Sequence, residues 1–339
     1  MSLILNRYPI TFRVEIVERL MPAIQHGSSV AIVGLAGVGK SNLITFLQQP
    51  EVIRYYLPAS QANRTHFLHI HCLPGHQPRE QLFGTIAQML VALALRLQWT
   101  PPALPTTLDA YQQLRLILDF LCKEKEQRIV LVWDEFDALL RGQASDFAEV
   151  LRSLRDEQRA SGNLVYVTIT HLLPQIIGQE DSFKTGKFFE LVKDQIFPLP
   201  AYNRADCESM LDALLCQQNL PLDEINPVVR GTLYAMTGGH SDLVKAVFDA
   251  LCPNFSLSRL DGRQLVAQDA KVRGACDKIW HHLHTTEQRA LTQMAHGGVL
   301  PASMEEYLIR RGLLVRESPA RLFSQLFAFH VAEQQSSPQ

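Results

Sequence analysis

Over the first 200 residues, short and almost unbroken apolar runs alternate with stretches of helical period. The runs at 29–33, 66–70, 128–133, 164–170 and 195–199 carry few polar residues, as strands buried on both faces of a parallel sheet should. The stretches at 11–25, 40–49, 79–98, 108–125 and 145–160 have a 3.6-residue rhythm and predict covering helices. Pro50 sits where the second must stop, and the prolines of 100–105 separate the third from the fourth. Beyond Pro200 the pattern turns helical throughout, at 204–218, 223–236 and 241–251, punctuated by Pro221, Gly238, Gly239 and Pro253. A looser stretch at 254–262 leads to a last unit. There one helix ends near His284, Thr285/Gln288 have capping-box spacing for a helix over 286–296, and Ser303/Glu306 have it for 304–311. Segments 313–316 and 321–324 flank Glu317-Ser318-Pro319-Ala320 as a small hairpin. Helices followed by a two-stranded ribbon predict a winged helix. The expected fold class is α/β: a three-layer αβα core with a parallel sheet over 1–200, an all-α lid over 201–253 and a C-terminal winged helix over 264–332. A linker at 254–263 joins the last two, and a disordered tail occupies 333–339.

The strongest chemical signal follows the first strand. Gly34-Leu35-Ala36-Gly37-Val38-Gly39-Lys40-Ser41 matches G-x-x-x-x-G-K-[ST] in full, between a strand and a helix. Glycines let the backbone curl so that successive N–H groups face a phosphate, and the helix N-terminus adds its positive end. Lys40 suits the β- and γ-phosphate oxygens, and the Ser41 hydroxyl suits Mg²⁺. The third strand runs into Asp134-Glu135-Phe136-Asp137. A carboxylate at the end of a buried strand faces the crevice where α/β sheets bind ligands. Asp134 is therefore read as a Mg²⁺ ligand acting through water, Glu135 as the residue that polarises an attacking water, and Asp137 as a cap for the next helix. The fourth strand ends at Thr170, which fits a sensor of the γ-phosphate; Thr168 lies deeper on the same face.

Composition narrows the field. The 339 residues are 47% hydrophobic and carry a net charge of −2, with 19 basic against 19 acidic residues up to Leu199 and 13 against 15 beyond it. Neither part is a basic body, which disfavours binding nucleic acid or anionic membranes by bulk charge. No apolar run approaches a membrane span, and six scattered cysteines without a C-x-x-C read as reduced, mostly buried thiols of a cytoplasmic protein. His69 and His71 share one strand face, but two histidines without a further spaced pair fall short of a zinc set. His281, His282 and His284 read as a helix surface. Arg152 and Arg155 read as a solvated helix face; the resemblance described below would also allow them to face a neighbouring subunit. In the ribbon unit, the helix N-terminus that would enter a DNA groove carries Glu305 and Glu306, leaving Arg310, Arg311, Arg316 and Arg321 for any backbone contact.

Taken in order, these motifs resemble a known group. Phe12-Arg13, GLAGVGKS, VLVWDEFDALL, VYVTITH, IFPLPAY, TGGH and RLFSQLFAFH look like the STAND signal-transduction ATPases and their relatives, the archaeal ATPases and origin-recognition-type AAA+ initiators. The resemblance runs from about Tyr8 to His330. It implies a P-loop ATPase core, and ATP or ADP with Mg²⁺ as cofactors. Nucleotide contacts are implied for Gly34, Gly37, Val38, Gly39, Lys40, Ser41 and Asn42, and for Arg13 and His240. Metal holding is implied for Ser41 and Asp134, and catalysis for Glu135, Lys40 and Thr170. His171 replaces the arginine that often follows the sensor, and Ser241 the usual lid proline. The expected function is an ATP-binding, slowly or partner-stimulated hydrolysing switch. It would form a homo-oligomer on ATP binding and control a separate partner protein that carries sensing or output, as in a bacterial regulatory or defence system. A DNA-associated AAA+ regulator of the initiator or transposition type is the alternative, and the acidic helix end weighs against it. A non-hydrolysing nucleotide-gated scaffold is a third, disfavoured by the intact Asp134-Glu135 pair.

Overall fold

The computed structural model describes residues 8–72, 78–142, 146–158, 162–177, 188–252 and 261–334. They form two compact units, one of residues 15–33 and 44–197, the other of residues up to 14, 34–43 and from 198 onward.

The first unit is built on a parallel sheet. Its elements, in chain order with the loop helix of the other unit, are α1 (Val14–Gln25), β1 (Val30–Gly34), α2 (Lys40–Leu47), α3 (Pro50–Tyr56), α4 (Ala59–Ala62), β2 (Thr65–His71), α5 (Arg79–Arg96), α6 (Ala110–Leu118), β3 (Arg128–Asp134), α7 (Phe136–Gly142), α8 (Phe147–Glu157), β4 (Leu164–Thr170), α9 (Pro174–Ile177) and β5 (Ile196–Leu199). The sheet order is β2-β3-β4-β1-β5. Parallel registers bring His71 level with Asp134, Trp133 level with Thr168, and Val33 level with Thr170. All five strands lie where the apolar runs predict them, and the αβα architecture of a P-loop core is confirmed. Valine- and isoleucine-rich strands prefer the pleated backbone, and here β1, β3 and β4 are buried almost throughout. Alternation along β3 sends Ile129, Leu131 and Trp133 into one core, with Tyr166, Phe136 and Phe147 around the indole and Phe188 against Phe136 and Tyr166. Val130, Val132 and Asp134 take the opposite face.

Helix boundaries differ from the sequence expectation where local chemistry decides them. Pro50 does not merely end a helix; it opens α3 from the first turn, where its missing N–H costs nothing. The predicted helix at 108–125 is α6, capped by a reciprocal Asp109/Gln112 box, and runs on into a π-helical turn at Asp119–Glu124. Arg13 lies in the turn just before α1, with φ of 55°, and not inside the helix.

The second unit contains α10 (Arg204–Gln217), α11 (Pro227–Thr237), α12 (Ser241–Leu251), α13 (Gly262–Gln268), α14 (Ala270–His281), α15 (Thr285–Ala295) and α16 (Ala302–Arg310). It ends with β6 (Leu314–Val315), antiparallel to β7 (Arg321–Leu322), and α17 (Gln325–Glu333). α13 and α17 are additions to the predicted set, and the looser stretch and tail fall mostly outside the described residues. The α15 capping box is real but sits one residue earlier, on His284 and Glu287. The Ser303/Glu306 box does not form: α16 starts at Ala302 behind Pro301, which places Ser303 inside the first turn. Gly238 ends α11 in the left-handed conformation, and a Cβ there would sit 2.0 Å from the Phe323 carbonyl oxygen. Beside it the Ser324 hydroxyl donates to the Met236 carbonyl at 2.9 Å, so the α11–α12 turn and the start of α17 are one packed joint.

The cysteines are free thiols, four of them buried, and no described helix is long and apolar enough to cross a membrane. Arg311, listed in sequence among residues available to DNA backbone, is 3% exposed. Its guanidinium donates to Glu287 at 2.6 Å, and the Tyr307 hydroxyl donates to the same carboxylate oxygen at 2.7 Å. Glu287→Ala should leave that buried cation unpaired and cost about 3–5 kcal/mol, read as a shift in the urea unfolding midpoint. A loss below about 1 kcal/mol would show that the triad does not hold this unit together.

Candidate functional site

Six successive peptide carbonyls define the loop that follows β1. Lys40 Nζ donates to the carbonyls of Gly34 and Leu35 at 3.1 and 3.0 Å. His240 Nε2 donates to Ala36 at 3.0 Å, and the Asp242 backbone N–H donates to Gly37 at 3.0 Å. Arg13 Nη2 reaches the Val38 carbonyl at 2.7 Å, and the Leu43 N–H closes on Gly39 at 3.1 Å as α2 begins. A trans peptide carries its C=O and N–H on opposite sides. Pinning every carbonyl from Gly34 to Gly39 therefore fixes which way the loop's N–H groups turn; of these, the Val38 N–H closes back on the Leu35 carbonyl at 3.3 Å. Fixed N–H groups at a helix N-terminus are the electrostatic form of an anion nest.

The glycines serve close approach as much as curl. Gly37 and Gly39 have φ of 74° and 97°. A Cβ on Gly37 would meet the Asp242 carboxylate at 2.2 Å, and one on Gly39 the Tyr202 hydroxyl at 2.7 Å. Tyr202 also accepts from Asn42 Nδ2 at 2.7 Å and lies under the Arg13 guanidinium, 4.2 Å from carbon to ring centroid. Arg13 further donates to the carbonyls of Pro200 and Ala201, and its backbone N–H to Asp206. Arg13, Asn42 and His240, expected at nucleotide, thus hold the loop or its neighbours. Ser41 is exposed on the first turn of α2. Tyr202 and Asp242 carry this arrangement without having been singled out in sequence. The signal for Tyr202 lay in the IFPLPAY segment; nothing in the sequence marks Asp242 beyond its place two residues after Gly-Gly-His.

His240 is fully buried, its ring 5.7 Å from that of Phe323. Burial lowers its pKa to about 4, so the ring is neutral near pH 7 and presents its N–H to Ala36. Asp242 is also tied to α14, where Lys278 Nζ donates to its carboxylate at 2.7 Å.

The acidic half of the motif set is in the sheet unit. Asp134 is 5% exposed and its Oδ1 accepts the Glu135 N–H at 3.1 Å. Glu135 has φ of 53°, a strained conformation for a residue with a side chain, and its carbonyl takes the N–H groups of Ala138 and Leu139. Asp137 does not cap a helix; its Oδ2 accepts the His171 N–H at 3.2 Å. Burial opposes ionisation there, but hydrogen bonding and charge from His171 leave the Asp137 pKa below its ordinary value. Thr170 is fully buried and donates to the Leu172 carbonyl at 2.7 Å, and Thr168 faces the Val30 carbonyl at 3.4 Å. His69 and His71, set aside in sequence, approach Asp134. Arg152, half-buried, pairs with the exposed carboxylates of Glu190 and Asp156, and Arg155, also half-buried, donates to the Gly27 carbonyl.

Because the folded chain keeps His240 neutral, the unfolded chain alone takes up that proton between pH 6.5 and about 4. Stability should fall as pH drops through this window and show no contribution from His240 above it. By linkage the loss between pH 7.5 and pH 5 is about 2 kcal/mol. His240→Gln, which keeps a neutral donor, should flatten the denaturation-derived profile by that amount; an unchanged profile would place the ring in water.

Residues 23–176 match the family model described as AAA domain. In sequence, no curated protein matches the chain. Among solved structures, the Walker-type ATPase PABY2304 of Pyrococcus abyssi is similar at a TM-score of 0.60 and 15% identity, over 94% of this chain and 95% of that one. The ORC2 protein of Aeropyrum pernix gives 0.48 and 14%, over 96% and 94%. Cdc6p from Pyrobaculum aerophilum gives 0.47 and 12%, over 95% and 94%. It is the first of these that shows the shared fold. Residues 23–176 thus carry an AAA domain with a complete phosphate loop, on a fold shared with that Walker-type ATPase.

Proposed function

We propose that the chain is an ATP-binding, slowly hydrolysing AAA+ switch whose lid and C-terminal helices report the state of the phosphate loop. The observation that carries this is the pinned loop: the carbonyls of Ala36, Gly37 and Val38 are held by His240, Asp242 and Arg13, all outside the motif. A phosphate entering the nest pulls on the loop N–H groups, and each pull is felt at once by α12, and through Lys278 by α14. Lys40 has three donors; its ammonium neutralises the β- and γ-phosphates while it braces the loop.

The Ser41 hydroxyl and the Asp134 carboxylate are each a hard oxygen donor of the kind Mg²⁺ takes while keeping most of its waters. A bound Mg²⁺ would supply charge neutralisation to the β- and γ-phosphate oxygens. Glu135 takes the proton of the attacking water at a carboxylate oxygen; its left-handed backbone is the kind of strain that functional positions keep. Thr170 senses the γ-phosphate by exchanging its bond to the Leu172 carbonyl. ATP binding then drives homo-oligomerisation and capture of a separate partner protein. In the helix-and-ribbon unit, read as a winged helix, Arg310 and Arg316 pair with Glu306 and Arg321 pairs with Glu317. That neutralisation favours a protein-facing or intramolecular role over DNA.

Lys40→Ala should weaken binding of a fluorescent ATP analogue by at least ~10–100-fold, the worth of losing charge-assisted bonds to phosphate. Unchanged affinity in a variant that keeps its helical circular dichroism overturns the assignment. Glu135→Gln should bind as the wild type and release phosphate ~10²–10⁴-fold more slowly. Equal rates would make Glu135 structural.

A further inference from the structure

A second cluster of ligand-type side chains lies at the outer edge of the sheet. Successive residues of a strand face opposite sides, and laterally paired residues of parallel strands face the same side. His69 is level with Val132, and His71 with Asp134. The two histidines and the aspartate therefore share the face opposite the aromatic core, while Cys72 goes with that core. One ligand atom from each of His69, His71 and Asp134 lies within 4.8 Å of the others. His69 Nε2 stands 3.5 Å from Asp134 Oδ2. Tetrahedral zinc, with bonds of about 2.0–2.1 Å, spaces its ligand atoms by about 3.4 Å. The His69–Asp134 pair is thus already near metal-bridged length.

Two further observations point to an ion. His69 Nε2 is buried and makes no hydrogen bond among the described residues, although a carboxylate oxygen is its neighbour. Asp134 is held from the other side by the Glu135 N–H on Oδ1, which leaves Oδ2 aimed at the histidines. His71 is exposed at the strand end and can close the remaining distance by side-chain rotation, leaving a fourth position for water. Two imidazoles with one carboxylate suit zinc and its neighbours in the first transition row, and suit Mg²⁺ poorly.

We propose that His69, His71 and Asp134 form a binding site for a zinc-class divalent ion, and that an ion there engages the carboxylate needed for magnesium. The second half rests on the assignment of Asp134 as a magnesium ligand; the first half does not.

The test uses the full chain without nucleotide, titrated with Co²⁺ as a spectroscopic stand-in for zinc. The wild type should develop the intense visible bands of a low-coordinate cobalt site, reversed by one equivalent of Zn²⁺ and not by excess Mg²⁺. His69→Gln and His71→Gln should each weaken binding by at least tenfold. Absence of the bands in the wild type, or equal binding by both variants, overturns the site. Zn²⁺ at the concentration that displaces cobalt should then suppress phosphate release from Mg–ATP in the wild type but not in His71→Gln. Full zinc binding with undiminished release overturns the sharing of Asp134. No phosphate release even without zinc counts against the ATPase assignment alone and leaves the cobalt result standing.

Discussion

A loop of backbone can bind phosphate only if its N–H groups converge. Peptide dipoles stacked in one direction repel one another, and bare carbonyls compete for the same hollow. The remedy here comes from Lys40 within the motif and from donors outside it. Every carbonyl from Gly34 to Gly39 has a donor, supplied by Lys40, His240, the Asp242 backbone, Arg13 and the first turn of α2. At the left-handed Gly37 and Gly39, Asp242 and Tyr202 occupy the space a Cβ would need.

This arrangement ties chemistry to conformation. His240 is neutral because it is buried, and it is buried because Phe323 and the Gly238 joint close over it. A neutral imidazole is a sound donor to a carbonyl and brings no second positive charge against Lys40. Asp242 gives its N–H to the loop and its carboxylate to Lys278. A change in the loop thus has two routes outward, one through His240 to β7 and α17, one through Asp242 to α14.

Much of this was legible in the sequence, and the reasons for the rest are physical. β1, β3 and β4 are visible because strands buried on both faces must be apolar throughout, and the phosphate loop is visible because its chemistry fixes residue types at fixed spacing. Arg13 and His240 were marked only through the resemblance, and Tyr202 and Asp242 not at all, because all four meet the loop across long stretches of chain and no local pattern records that meeting. Caps failed by small shifts: His284 and Glu287 share the i, i+3 spacing with Thr285 and Gln288, and only backbone geometry chooses between them. Arg311 reads as a surface charge beside Arg310, yet burial with Glu287 makes it structural. The His69–His71 pair was incomplete in sequence since its third member stands on the next strand, 63 positions on from His71, and register alone brings it level.

The loop amides are the most direct witness to the central claim. Backbone ¹⁵N–¹H shifts of Gly37, Gly39, Lys40 and Ser41 should move together on adding ADP with Mg²⁺, and the His240 ring N–H should remain bonded throughout. Amides that stay where they are while nucleotide binds elsewhere on the chain would contradict the account, because the pinned carbonyls would then be holding a loop that receives no phosphate.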